Sequence, residues 1–166
     1  MDITAHFSAG NEDIVLELVG AGADVNKRND IGLAPLHYAA SKSRIDIGRF
    51  LIQRGADINA RDKANQLPLH RAATTGSTGF ISLLLNPPKE PGVTKPRLNT
   101  GDRVGNTPLH LAMESAHAQA AVLLIEAGAD RTRTNLEDVI PENVDGVRGE
   151  EQARARQYVT DHCGPP

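Results

Sequence analysis

Residues 105–115 read GNTPLHLAMES, and the tetrapeptide inside them decides the fold because the chain uses it three times. APLHYAAS occupies 34–41, LPLHRAAT 67–74 and TPLHLAME 107–114, so Ala34, Leu67 and Thr107 stand 33 and then 40 residues apart. A second phrase keeps step with the first: GAGADVN at 20–26, RGADINA at 54–60 and AGADRTR at 127–133. Counting back 33 from Ala34 reaches Met1, where the later half of the unit still fits. Counting forward 33 from Thr107 reaches a degraded copy at Ile140-Pro141. The 166 residues therefore divide, within a single domain, into units at about 1–33, 34–66, 67–106, 107–139 and 140–166.

Each letter of the unit has a mechanical reading. Thr107 is placed to cap a helix with its hydroxyl, and Pro108 suits the first helical turn, where its missing N–H costs nothing. Leu109, Ala112 and Met113 share one face at helical spacing. Gly76 supplies the left-handed turn that ends a first helix, and Ser43 and Ala116 in the matching places are expected to strain it. Second helices carry Ile14/Leu18, Ile47/Leu51, Phe80/Leu84 and Ala120/Leu124, and end at Gly22, Gly55 and Gly128 before an outward turn.

Such a unit cannot bury both faces alone, so stacking supplies the core and end units are atypical. The last unit offers EEQARARQYVTDHC (150–163), which sets Ala153, Ala155 and Val159 among Glu, Gln and Arg, a helix with a polar outer face. The first unit fits less well. Met1-Asp2 replace the Thr-Pro opening and His6-Phe7 the small pair, which reads either as an improvised cap or as a chain lacking upstream repeats, and the absence of anything polar to shield Ile14, Leu18 and Val19 favours the second. The third unit is seven residues too long, and NPPKEPGVTKPRLN (86–99), with four prolines, reads as a surface loop whose inserted part is 87–98.

Composition narrows the function. Aromatics make up 3% of the chain and Trp is absent, which suits a core of stacked helices built from Ala, Leu, Ile and Val. A net charge of −3 argues against nucleic acid as partner, since phosphate backbones call for a basic surface. The lone Cys163 cannot form an internal disulfide and points to a reducing compartment. MDITAHFSAG lacks the basic start and apolar run of a signal peptide, and no stretch reaches the roughly 18–20 apolar residues of a membrane helix. A soluble intracellular protein is expected.

His37, His70 and His110 invite a metal or catalytic reading. They occupy one place in successive units, however, so stacking separates them by about 8–10 Å, whereas zinc ligands sit about 2 Å from one centre. The plainer reading is that each imidazole bonds to backbone or hydroxyl near the turn and ties neighbouring units together. Asp161-His162-Cys163 sets an acid, a base and a thiol in a row, but adjacent helical residues point in different directions. With no phosphate loop, paired carboxylates or Cys-x-x-Cys, the chain reads as a non-enzyme without metal or cofactor. Pro88-Lys89-Glu90-Pro91 matches P-x-x-P, a pattern common by chance in Pro-rich loops. Charge is also unevenly spread. Lys27–Arg71 holds nine basic and four acidic residues, and Glu126–Glu151 eight acidic and three basic, a polarity suited to docking one asymmetric surface in a fixed direction.

A 33-residue period with T-P-L-H-x-A resembles the ankyrin repeat. This implies an all-α solenoid of about four and a half helix-turn-helix repeats with outward turns. Between the consensus letters, PLHYAASKSRIDI (35–47), LHRAATTG (69–76) and GNTPLHLAMES (105–115) resemble the gankyrin family, chaperones of proteasome regulatory-particle assembly of the non-ATPase subunit 10 type. Tyr38, Lys42, Arg44 and Arg71 are not general ankyrin letters yet match that pattern, over about 31–141.

The resemblance implies a curved stack whose concave side binds the C-terminal domain of one AAA ATPase subunit of the 26S proteasome base. It implies a monomer when unbound, found in cytoplasm and nucleus, with no catalysis, cofactor, nucleic acid or membrane involved. By repeat position it places Arg28, Asp30, Tyr38, Lys42, Arg61, Lys63, Arg71, Thr74, Arg103 and Glu114 on that side, with Tyr38 the leading contact. Family members carry more repeats, and the inserted loop is foreign to their pattern. The retinoblastoma-binding L-x-C-x-E of the animal protein falls on Leu111–Ser115, where both Cys and the final Glu are replaced, so that binding is not implied. An ankyrin adaptor of another pathway, working through the Pro-rich loop, is the competing reading.

Overall fold

The computed structural model describes residues 2–146 and 149–166. Four helix pairs follow one another: α1 (Ile3–Ser8) with α2 (Glu12–Gly20), α3 (Pro35–Ser41) with α4 (Ile45–Gln53), α5 (Pro68–Thr75) with α6 (Thr78–Leu85), and α7 (Pro108–Glu114) with α8 (Ala118–Glu126). A single 3-10 turn, Pro141–Asn143, and the longer α9 (Gly149–Cys163) complete the stack. No strand occurs among the described residues. The first helices α1, α3, α5 and α7 pack side by side, and the second helices α4, α6, α8 and α9 form a layer behind them. Small residues on the first helices, Ala39, Ala40, Ala72, Ala73 and Ala112, are all buried and allow the closer approach. The first helices pack more tightly than the second, so the stack curves with first helices and turns on its inner side.

The helix breaks behave as the sequence predicts. Gly76 is left-handed at φ 68°, and Ser43 and Ala116 are forced to φ 55° and 59° in the matching places. Each strained turn persists because the chain returns a hydrogen bond to its helix: Arg44 N–H to the Ala39 carbonyl, Ser77 to Ala72, and His117 to Ala112.

Both end units depart from expectation. In the first, Asp2 is the N-cap of α1, its carboxylate accepting the Thr4 N–H at 3.0 Å and that of Ala5 at 3.4 Å. Phe7 is fully buried and stacks on Tyr38 with ring centroids 6.2 Å apart. Val15 and Val19 are the buried pair of α2, whereas Ile14 is exposed and Leu18 half-buried. Val19 therefore needs no shield, contrary to the sequence reading. Ile14 and Leu18 stand one period before Ile47 and Leu51, which are buried in the second unit. In the last unit the first helix shrinks to the 3-10 turn, and α9 buries Gln152, Ala155 and Val159 while Ala153 faces solvent. Gln152 takes the inward place because its amide is satisfied: Nε2 donates to the Glu114 carbonyl at 3.0 Å and Oε1 accepts the Gly146 N–H at 2.9 Å.

The inserted loop leaves α6 after Leu85 and lies inside the third unit, before that unit's turn. It is held down rather than projecting freely. Asn59 donates to the Lys95 carbonyl at 2.9 Å and accepts the Arg97 N–H at 2.9 Å, and Val93 and Leu98 pack against the core.

Candidate protein-binding surface

The histidines explain why the tetrapeptide ends as it does. Nδ1 of His37, His70 and His110 accepts the N–H of Ala34, Leu67 and Thr107, the N-cap three residues back, at 3.1, 3.0 and 3.1 Å. Nε2 donates to the carbonyl just before the next unit's opening: Gln66 at 2.9 Å, Asn106 at 3.0 Å and Val139 at 3.0 Å. An Nδ1 that accepts an amide hydrogen fixes the neutral tautomer with its proton on Nε2. Each ring thus does the reciprocal half of a capping box and ties the start of one unit to the next. No group of three or more His, Cys, Asp or Glu suited to a metal exists among the described residues.

Burial holds all three imidazole pKa values below 6.5, outweighing the carbonyl bond that pulls each of them up. The unfolded chain takes up protons near pH 6.5 and the folded chain only at lower pH, so this stability is complete above about pH 6.5 and is lost as pH falls through the depressed values. The melting temperature should therefore drop steadily from pH 7.5 to 5.0 in thermal melts followed by circular dichroism. An unchanged value over that window would contradict the histidine ties.

The outward turns are built by another residue that keeps step with the period. Oδ1 of Asn29, Asp62, Asp102 and Asn135 accepts backbone N–H groups two and four residues on, at 2.9–3.2 Å. Successive turns then join through backbone bonds: Lys63 N–H to the Ile31 carbonyl, Arg103 to Ala64, and Leu136 to Val104. Gly105 is left-handed, and a Cβ there would come within 2.8 Å of the Leu136 nitrogen, so the close approach demands glycine.

On this frame the predicted contact residues fall into two groups. Asp30, Lys63 and Arg103 are exposed at one turn position and stack in a row. Arg28 is exposed and donates to the Arg61 carbonyl at 2.9 Å, and Arg61 in turn donates to Asn65 at 3.2 Å. Thr74 and Glu114 are exposed at equivalent points of α5 and α7. The others are committed within the fold. The Tyr38 hydroxyl accepts from Asn29 at 2.9 Å, and Lys42 Nζ turns to the Phe7 carbonyl at 2.8 Å. Arg71 pairs with Asp62 at 2.7 Å. Burial pushes the Asp62 carboxyl up, but the bonds from Arg71 and the Gln66 N–H, together with the Arg71 charge, outweigh it and hold it below 3.8.

The face is polarised along the stack. Arg28, Lys63, Arg71 and Arg103 line the turns and first helices of units one to three, while Glu114, Glu137 and Asp145 line a polar cavity with Asn106 and Asn135 further along. Sequence reading missed three members of this surface: Ile31, Val104 and Leu136 stand 59%, 55% and 76% exposed on the turns. Their signal was legible in N-D-I-G and D-R-V-G, where an apolar residue sits at a turn tip that packing does not require.

A helix-pair solenoid with stacked turns and an inner face of charged and apolar side chains is a protein-binding scaffold, and the chain belongs to the ankyrin-repeat family. Models of ankyrin repeats in many copies match residues 3–47 and 36–85, and one of three copies matches 61–135. Among its relatives, the probable 26S proteasome regulatory subunit p28 of Saccharomyces cerevisiae is 40% identical over 121 residues, 72% of this chain and 50% of that protein. Human oxysterol-binding protein-related protein 1 is 42% identical over 66 residues, 40% of this chain and 6% of that protein. The chain thus spans half or less of the length of these relatives.

Proposed function

We propose that the inner face binds the C-terminal domain of one AAA ATPase subunit of the proteasome base. On this reading the chain is a non-catalytic chaperone of regulatory-particle assembly in cytoplasm and nucleus. The observation that carries it is the 40% identity to the p28 subunit across 72% of the chain. The charge of the face supports it: a basic ridge over the first three units and acids beyond give a single docking direction. An interface of about 1,600 Å² would occupy most of the inner side of so short a stack. The half-buried Tyr38, the expected leading contact, and Arg71 serve this role by shaping the face, and the exposed Lys63 and Arg103 meet the partner.

The test follows from that division. Co-expression with each base ATPase C-terminal domain separately should yield capture of one. Lys63→Glu/Arg103→Glu should abolish the capture with an unchanged melting temperature, because neither side chain holds the fold together. Capture that survives the double reversal would remove the basic ridge from the account.

A further inference from the structure

The third unit reverses a charge that the other complete units share. Asp24, Asp57 and Asp130 close the Gly-Ala-Asp phrase, and each carboxylate accepts the N–H two residues on at 2.9 Å. The inserted loop delivers Arg97 to that place. Its backbone is held as in the others: the Arg97 N–H donates to Asn59 Oδ1 at 2.9 Å, as the Asp57 N–H does to Asn26 and the Asp130 N–H to Asn99, both at 2.8 Å. A guanidinium therefore stands on backbone built for a carboxylate.

Its surroundings give the substitution a use. Arg97 lines one open cavity with Arg61 of the second unit and Arg133 of the fourth, and Asn65 and the Leu98-to-Gly101 stretch complete the walls. No acid lines it, and none of the three arginines makes an ion pair among the described residues, although the Arg133 charge reaches Asp130 nearby and helps to hold that carboxyl down. Asn65 braces the site, accepting from Arg61 at 3.2 Å and donating to the Gly101 carbonyl at 2.8 Å. Like charges lining one concavity repel each other, Arg61 and Arg97 without a nearby acid in the lining, and a multivalent anion relieves that repulsion.

We propose that this cavity binds a phosphate monoester carried by a protein partner, as phosphoserine or phosphothreonine. A carboxylate has two oxygens and is satisfied by one guanidinium fork. A phosphate group brings three terminal oxygens and a charge of about −1.5 to −2, which suits three forks arriving from three units. The Thr100 hydroxyl in the wall is a further donor for it. The site exists because the loop places Arg97 there, and it does not depend on which protein the inner face binds.

The experiment uses the full chain and fluorescein-labelled pentapeptides Gly-Gly-Ser-Gly-Gly in phosphorylated, unmodified and Ser→Glu forms, titrated by anisotropy in about 0.1 M salt. The phosphopeptide should bind at least about tenfold more tightly than the Glu form, and inorganic phosphate should compete. Arg97→Asp, which restores the residue of the other units, should weaken the phosphopeptide about tenfold or more without lowering the melting temperature. Arg154→Asp on α9, where the side chain is 81% exposed, makes the same change in net charge and should leave binding intact. If Arg97→Asp also destabilises the fold, loss of binding in Arg133→Ala, at an exposed residue, decides in its place. Equal affinity for the Glu peptide, equal loss in Arg154→Asp, or full binding by a folded Arg97→Asp chain would each overturn the proposal.

Discussion

His70→Ala should lower the unfolding free energy by about 1–3 kcal/mol, the cost of one buried backbone group left unpaired. The ring is fully buried, and its removal strands the Leu67 N–H, while the Asn106 carbonyl loses its tie to the third unit's ring but keeps the Asp102 N–H at 2.9 Å. Water cannot easily repair the loss, because Leu67, Leu69 and Ala73 around it are themselves buried. A surface histidine such as His162, whose ring meets only its own helix and Tyr158, should cost little when replaced in the same way. Urea unfolding followed by helical ellipticity measures both, and a loss below about 1 kcal/mol at His70 would mean the tetrapeptide owes its form to something else. Repeat stability is close to a sum of unit and interface terms, so a break at the middle unit weakens the joints on both sides.

A larger change should follow from Phe80→Ala, about 3–5 kcal/mol for a fully buried aromatic. Phe80 of α6 fills the space that Gly48 leaves on α4: a methyl group built on Gly48 would stand 2.6 Å from the ring. This pairing makes the prediction sharper than a cavity estimate. Gly48→Ala alone should destabilise, although alanine is favoured over glycine by about 1 kcal/mol inside a helix, because the ring must move. On the Phe80→Ala background the same substitution should stabilise, since the space is then free. A double-mutant cycle in which Gly48→Ala has the same sign on both backgrounds would show that the two residues do not share that space.

Much of this architecture was legible in the sequence because ankyrin units use fixed letters for fixed geometry. Pro35, Pro68 and Pro108 each open a helix, and the left-handed Ser43 and Ala116 were readable from Gly76, their counterpart in the third unit. The ends were harder. A repeat pattern states what a unit does between two neighbours, so it placed Ile14 inward and Ala153 beneath its helix, where neither has a partner to meet. The binding face was half legible. Repeat position brought Lys63 and Arg103 to the same turn place, but it could not show that Tyr38, Lys42 and Arg71 spend their polar groups within the chain. Nor could composition reveal the three-arginine cavity, because Arg61, Arg97 and Arg133 meet only when the inserted loop folds back onto Asn59.

The most direct test of the binding face is calorimetric titration of the intact chain with each proteasome base ATPase C-terminal domain in turn. One domain should bind at micromolar affinity or tighter and the others not measurably, as a polarised face with a single docking direction requires. Heat from none of them, or the same affinity for all, would contradict the reading.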